Sequence, residues 1–182
     1  MGSHDGQVIS NTAVLDNQFH WKGLCVDIYP TNMEKRTCTI IKEVIYDKSG
    51  KKIQFKVANA LGGITTHMKK HKHATKNSKE VTYITKSAHD ILKTNNVPSV
   101  VDFLDMDVEG AELKFLEGME NDHVFDHYCF KNIAVEHNFI EPERSNIRTL
   151  LQRNQYVYKG SEKFDDYYSK SCGVAYVPNS IT

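Results

Sequence analysis

The sequence predicts an α/β domain on a mainly parallel sheet, and three observations carry that prediction. Short apolar runs alternate along the chain with stretches of helical spacing, the pattern of strands joined by crossover helices. Three of these runs, residues 23–28, 100–108 and 132–136, carry an acid within their last two residues: Asp27, Asp107 and Glu136. In open α/β sheets, ligands sit at those strand ends. Finally, 182 residues with 40% hydrophobic and 25% charged side chains describe an ordinary globular chain, read here as one domain over residues 1–182.

The elements follow in order. A glycine-containing turn, Gly2-Ser3-His4-Asp5-Gly6, leads into a helix-permissive segment, residues 7–17. Residues 23–28, bounded by Gly23 and Pro30, read as a buried strand, with a short helix expected over 32–38. Residues 39–46 and 52–58 are β-rich and separated by Asp47-Lys48-Ser49-Gly50, a hairpin signal. Residues 61–79 lose the pattern and hold five lysines, three histidines (His67, His71, His73) and no acid, which reads as a mobile basic loop. A strand is expected over 81–85. Ser87 can cap a helix running to about Asn95, with Asp90 at its third position. Residues 100–108 form the most apolar strand candidate, and a helix over 111–119 follows with Leu113, Leu116 and Met119 at helical spacing. A strand over 132–136, a helix over 143–154 and strand-like runs at 156–158 and 173–177 complete the chain.

Charge and cysteines narrow the partners. With 23 Lys+Arg against 23 Asp+Glu, bulk charge gives no footprint for nucleic acid. No apolar run reaches the roughly 18 residues that cross a bilayer, and the N-terminus lacks a basic region followed by an apolar core. Cys25, Cys38, Cys129 and Cys172 are widely spaced with no C-x-x-C pair, so a zinc knuckle is not indicated. Cys25 reads as a small core residue. The expectation is a reduced, cytoplasmic chain without membrane or nucleic-acid partners.

Four places could carry chemistry. Glycines after a strand let backbone approach a ligand, so Gly2-x-x-Asp5-Gly6 is one, although Met1-Gly2-Ser3-His4 also matches a cloning scar. Asp27 is the second: an ionised acid about 20 residues beyond such a turn can accept from both hydroxyls of a ribose. The third is Asp105-Met106-Asp107-Val108-Glu109-Gly110, where strand alternation would put three carboxylates on one face, in need of a cation, a ligand or a base. The fourth is Val135-Glu136-His137-Asn138, where Glu136 or His137 could act as a base.

Residues 102–113 (DFLDMDVEGAEL), followed by Leu116-Glu117-Gly118, strongly resemble the signature of the FkbM family of methyltransferases, I-D-x-L-x-x-D-x-E-G-x-E and then L-x-G. In order, residues 2–12 resemble the family's cofactor loop and first helix, residues 21–27 its second strand with Asp27 in place of the usual Glu, and residues 133–137 its fifth strand. The resemblance implies a seven-stranded, Rossmann-like class I methyltransferase fold that binds S-adenosyl-L-methionine. Gly2, Ser3, His4, Asp5 and Gly6 would then face the methionine part of the cofactor, and Asp27 and Ile28 the ribose side. It implies O-methylation of a sugar or natural-product hydroxyl, so a small-molecule or glycan acceptor, with Asp107 or Glu109 near the reacting centre and Glu136 and His137 as second candidates. A divalent metal is compatible but not required, and no metal ligands are assigned. The chain begins where the family's first strand should already have passed, which implies an N-terminally truncated domain with unpaired neighbours. Of an Asn-Arg pair usual after the second strand, only Arg36 is present.

Two other functions use some of these residues. A metal-dependent sugar-nucleotide transferase would hold its cation on Asp105-x-Asp107, but would leave the glycine turn and Asp27 without a role. A degenerate domain that binds cofactor or partner without turnover is the non-enzymatic reading, and the basic loop could then contact an acidic glycan or phosphate. A dehydrogenase is disfavoured because G-x-x-D-G is not G-x-G-x-x-G.

Overall fold

A computed structural model describes residues 1–8, 10–68 and 73–173. The chain divides into two compact units. Met1–Val44, Gly50–Thr85 and Asp107–Ala111 form the first, and Ile45–Ser49, Lys86–Met106 and Glu112–Thr182 the second.

In the first unit, α1 (Ala13–Asn17) is a single short turn of helix that buries Ala13 and Asp16. β1 (Leu24–Val26) pairs in parallel with β2 (Thr39–Ile41), Cys25 opposite Ile40. Residues 32–38, expected as a short helix, hold only turns and bends, because Arg36, Thr37 and Cys38 all donate to the buried carboxylate of Asp16. β3 (Val44–Ile45), β4 (Lys52–Val57), β5 (Gly63–Ile64) and β6 (Lys79–Lys86) form a four-stranded sheet in the order β3-β6-β4-β5. The expected hairpin is therefore not made: β6 lies between β3 and β4. Gly50 N and Lys51 N donate to the carbonyl and hydroxyl of Thr85 at 2.9 and 3.1 Å, so the turn residues are held by β6.

In the second unit, α2 (Ala88–Thr94) starts as expected, with the Ser87 side chain accepting from Asp90 N. β7 (Val100–Met106), α3 (Glu112–Asn121), α4 (Val124–His127), β8 (Cys129–Glu136), α5 (Glu143–Arg153), β9 (Val157–Glu162) and β10 (Asp165–Ser169) follow. The sheet order is β7-β8-β10-β9, with β7 and β8 parallel and β10 antiparallel to both of its neighbours. α3 buries Glu112, Phe115, Leu116 and Met119, spaced i, i+3, i+4 and i+7, and α5 buries Ile147, Leu150 and Leu151. Fully buried Phe130, Ile133 and Val135 on β8 and Met106 on β7 complete this core. β10 was not legible as a strand, and residues 174–177 of the expected last run lie outside the described residues.

Mixed α/β content is thus present, but the described strands make three sheets rather than one seven-stranded parallel sheet. At the start of the chain, Gly2 N and Ser3 N donate to Val26 O at 2.9 and 3.3 Å, and Asp107 N donates to Met1 O at 3.2 Å. The cysteine reading is corrected as well. Cys25–Cys38 and Cys129–Cys172 are disulfides, so the described chain holds no free thiol. Spacing along the chain does not reveal pairs that the fold brings within 5.8 and 5.9 Å Cα to Cα. Disulfides persist in oxidising surroundings, and the cytoplasmic expectation loses its support. No helix among the described residues is long and apolar enough to cross a membrane.

Candidate functional site

In the first unit the site is built on Asp27. β1 ends at Val26, and the carboxylate one residue beyond turns back on the chain. Its Oδ1 accepts from Tyr29 N at 2.7 Å and its Oδ2 from His4 N at 2.8 Å. The glycine turn is tied to the segment after β1 by further bonds. Thr31 N donates to His4 O at 2.6 Å, and Gly6 N to Thr31 O at 2.9 Å. Asp5 accepts from Gln7 N and Val8 N on one oxygen and from Asn32 Nδ2 on the other. The two backbone donors, then Asn32, hold the Asp5 carboxyl below the usual carboxylate range.

The segment Gly2, Ser3, His4, Asp5 and Gly6 and the Asp27 carboxylate are therefore brought together, and Ile28 lies half-buried next to Asp27. The glycines, however, meet the chain itself. A Cβ on Gly2, at φ 72°, would lie 1.5 Å from the Asp107 carbonyl oxygen, and one on Gly6 would lie 2.5 Å from Met33 Sδ. Arg36 is likewise engaged by the chain. Its guanidinium, 2% exposed, donates to Asp16, Gly6 O, Ser10 Oγ and Thr12 Oγ1, making it the internal brace of this segment. Asp16, which the sequence gave no reason to single out, is the other half of that brace. Two polar atoms here are buried without a hydrogen-bond partner among the described residues: Ser3 Oγ and Gln7 Nε2.

Beside Asp27 stands an aromatic group that the sequence reading missed. Tyr29 and Tyr83 share a hydrogen bond between their hydroxyls, and both rings pack near Phe55, at 6.3 and 5.9 Å between centroids. The hydrogen bond with Tyr29, then burial, pushes the Tyr83 hydroxyl up to about 12. Tyr29 and Tyr83 are 54 positions apart, so no local signal joins them.

Asp107 and Glu109 are half-buried in the same unit but do not share a strand face. Strand alternation stops at Met106, and Glu109 and Gly110 adopt positive φ, 55° and 95°. The turn is pressed from one side by Gly2. From the other, a Cβ on Gly63 would lie 3.0 Å from Glu109 Cβ and one on Gly110 2.5 Å from His67 O.

The second unit holds the other two candidates. Glu136 ends β8 opposite Asp165 of β10. His137 is buried and engaged on both ring nitrogens. Nδ1 accepts from Phe139 N at 3.0 Å, and Nε2 lies 3.2 Å from Ser161 Oγ and 3.6 Å from Asp166 Oδ1. Burial lowers its pKa, and the attraction of Asp166 only partly offsets this. Asp166 in turn accepts from Arg144 at 2.6 and 3.0 Å and from Arg148 at 3.2 Å.

A family model described as the methyltransferase FkbM domain matches residues 1–158. The chain belongs to the FkbM methyltransferase family. The match takes in the glycine turn from its first residue. It also takes in Asp27, the Asp107–Gly110 turn, Glu136 and His137, while β10 with Asp166 lies beyond the matched part of the FkbM domain. No curated protein and no solved structure matches the chain.

Proposed function

We propose that this FkbM-family chain is an S-adenosyl-L-methionine-dependent methyltransferase that methylates a hydroxyl of a sugar or another small natural product. The family match over residues 1–158 carries the reading. The chemistry of the first-unit segment suits the cofactor. Asp27 spends one lone pair of each oxygen on backbone N–H groups and keeps others for ribose hydroxyls. Ser3 Oγ and Gln7 Nε2 offer buried polar atoms for its amino-acid end to satisfy.

When bound, S-adenosylmethionine supplies a methyl group on a positively charged sulfur. The residues' part is to hold the acceptor oxygen in line and to take its proton. Asp107 and Glu109 are the proposed base, on a turn whose backbone is fixed from two sides. Glu136 and His137 are the second pair. With both ring nitrogens engaged, His137 suits fixing the end of β8, and with it Glu136, better than receiving a proton. The parallel pairs β1–β2 and β7–β8 are the parts that a Rossmann-like sheet would contribute.

Calorimetric titration of the disulfide-bonded chain with S-adenosylhomocysteine, with and without magnesium, tests the proposal. Micromolar binding is expected, about tenfold weaker in Ser3→Ala, whose hydroxyl has no partner among the described residues to lose, and abolished in Asp27→Ala. Dependence on magnesium would bring a metal into the site. A folded chain that binds no S-adenosylhomocysteine overturns the proposal.

A further inference from the structure

Of the expected basic loop, residues 69–72 lie outside the described residues, and Lys56 Nζ ties down its described part by donating to buried Thr75 O at 3.3 Å. The second unit exposes something different, two phenylalanines at one end of its sheet. β8 ends at Glu136, and Phe139 follows in the loop beyond, 61% exposed. β10 runs antiparallel to β8 and starts with Asp165 opposite Glu136, so the Lys163-Phe164 turn from β9 reaches the same end. Phe164 in that turn is 49% exposed. This is the carboxyl end of the parallel pair β7–β8, where ligands of α/β sheets sit.

Neither ring is placed by local preference. A two-residue hairpin turn favours Asn-Gly or Asp-Gly, yet this one is Lys-Phe, with Lys163 at φ 52°. Phe139 sits at φ 56°, a region that bulky side chains rarely enter. His137 fixes both. Its backbone N donates to Phe164 O at 2.8 Å, and its Nδ1 accepts from Phe139 N at 3.0 Å. Its ring stands at 77° to the Phe139 ring, 4.8 Å between centroids. The two phenylalanine rings are 6.0 Å apart at 72°, an open apolar corner. A polar rim borders it: the Arg144 guanidinium lies 5.8 Å from the Phe139 centroid and donates to Ser161 Oγ at 3.2 Å.

We propose that Phe139 and Phe164 hold the methyl acceptor, a neutral sugar ring packed by its C–H face. A pyranose carries C–H bonds on its faces and hydroxyls around its edge. The negative faces of aromatic rings attract the C–H bonds, and the Arg144–Ser161 rim offers hydrogen bonds to the hydroxyls. Charges flanking the corner have both signs, Glu141 and Arg144 after Phe139 and Glu162 and Lys163 before Phe164, so no charged ligand is called for. Two side chains are too little for a protein partner, whose interface covers about 800 Å² on each side. The acceptor role rests on the methyl-transfer reading, which puts Glu136 of the same loop among the bases. The sugar contact itself stands without it.

Saturation-transfer NMR on the disulfide-bonded chain tests this with methyl β-D-glucopyranoside and methyl β-D-galactopyranoside, each with and without S-adenosylhomocysteine. Sorbitol, which has hydroxyls but no ring face, and catechol, a planar aromatic, are the comparison ligands. Saturation is expected on the ring C–H protons of at least one glycoside, at millimolar affinity, and not on sorbitol. The double variant Phe139→Ala with Phe164→Ala should bind about tenfold more weakly, at a nearly unchanged urea midpoint because both side chains are exposed. Phe164→Ala alone serves if the pair fails to fold, and Phe139→Tyr with Phe164→Tyr should keep the binding. Three results would each overturn the proposal: no saturation of either glycoside by the folded chain, parent-like binding by the alanine variants, or catechol binding more tightly than both glycosides. Glycoside binding by a chain that takes up no S-adenosylhomocysteine would uphold the sugar contact and sink the methyl-transfer reading alone.

Discussion

Asp166 shows what one residue can hold together. Its carboxylate is 1% exposed and faces two arginines, a histidine and the Tyr168 hydroxyl. Burial raises its pKa, but the bonds and charge of Arg144, with His137, outweigh that and hold it below the usual range. Removing one partner of such a cluster strands the others, so Asp166→Ala should cost about 3–5 kcal/mol, read as a lower urea midpoint at unchanged slope. The same cluster sets a pH dependence. His137 titrates lower folded than unfolded, so its contribution is present above the ordinary value of about 6.5 and falls as the pH drops below it. Asp166 also titrates lower folded, so its contribution is lost only as the pH falls below about 4 and through its folded value. Denaturation across pH should show both declines, and His137→Gln should remove the first while leaving the second.

At the scale of elements, α3 carries a glycine that helix propensity alone disfavours. Gly118 of the Leu-Glu-Gly motif faces the backbone of Asp47, and a Cβ there would lie 2.3 Å from the Asp47 carbonyl oxygen. Gly118→Ala would gain about 1 kcal/mol of helix propensity but lose more in forced backbone movement. A net loss of about 1–2 kcal/mol is expected, and a variant more stable than the parent by differential scanning calorimetry would refute the packing account. The disulfides act on elements too. Cys25–Cys38 closes the loop that carries Asp27, Thr31 and Arg36, and Cys129–Cys172 ties the start of β8 to the segment after β10. For separations of 13 and 43 residues, chain entropy gives about 3 and about 4 kcal/mol, respectively. Paired serine variants measured by chemical denaturation should rank in that order.

For the whole molecule, the paired cysteines tie stability to redox state. Mass spectrometry after iodoacetamide treatment without reductant should find none of the four cysteines labelled, and reductant should lower the melting temperature. Labelling of any of them in the native chain would contradict the pairing. The neutral total charge also hides a concentration of lysine between residues 50 and 80.

The sequence by itself determined the elements whose signals are local, and the family. Ser87 capping α2, the apolar run of β7, the helical spacing of α3 and the D-x-E-G-x-E string need only neighbours a few residues away. Tertiary structure decided whatever depends on distant partners. Asp165 and Asp166 read as poor strand formers, yet β10 forms because Arg144 and Arg148, about 20 residues earlier, neutralise Asp166. The 47–50 turn looked like a hairpin until Thr85 took its N–H groups. Asp27 was legible as an acid at the end of a strand, but not that His4 N and Tyr29 N would share it, and the cysteine pairs were invisible until the fold closed them. Periodicity and motif are properties of adjacent residues, whereas pairing and burial arise only when separate segments share one space.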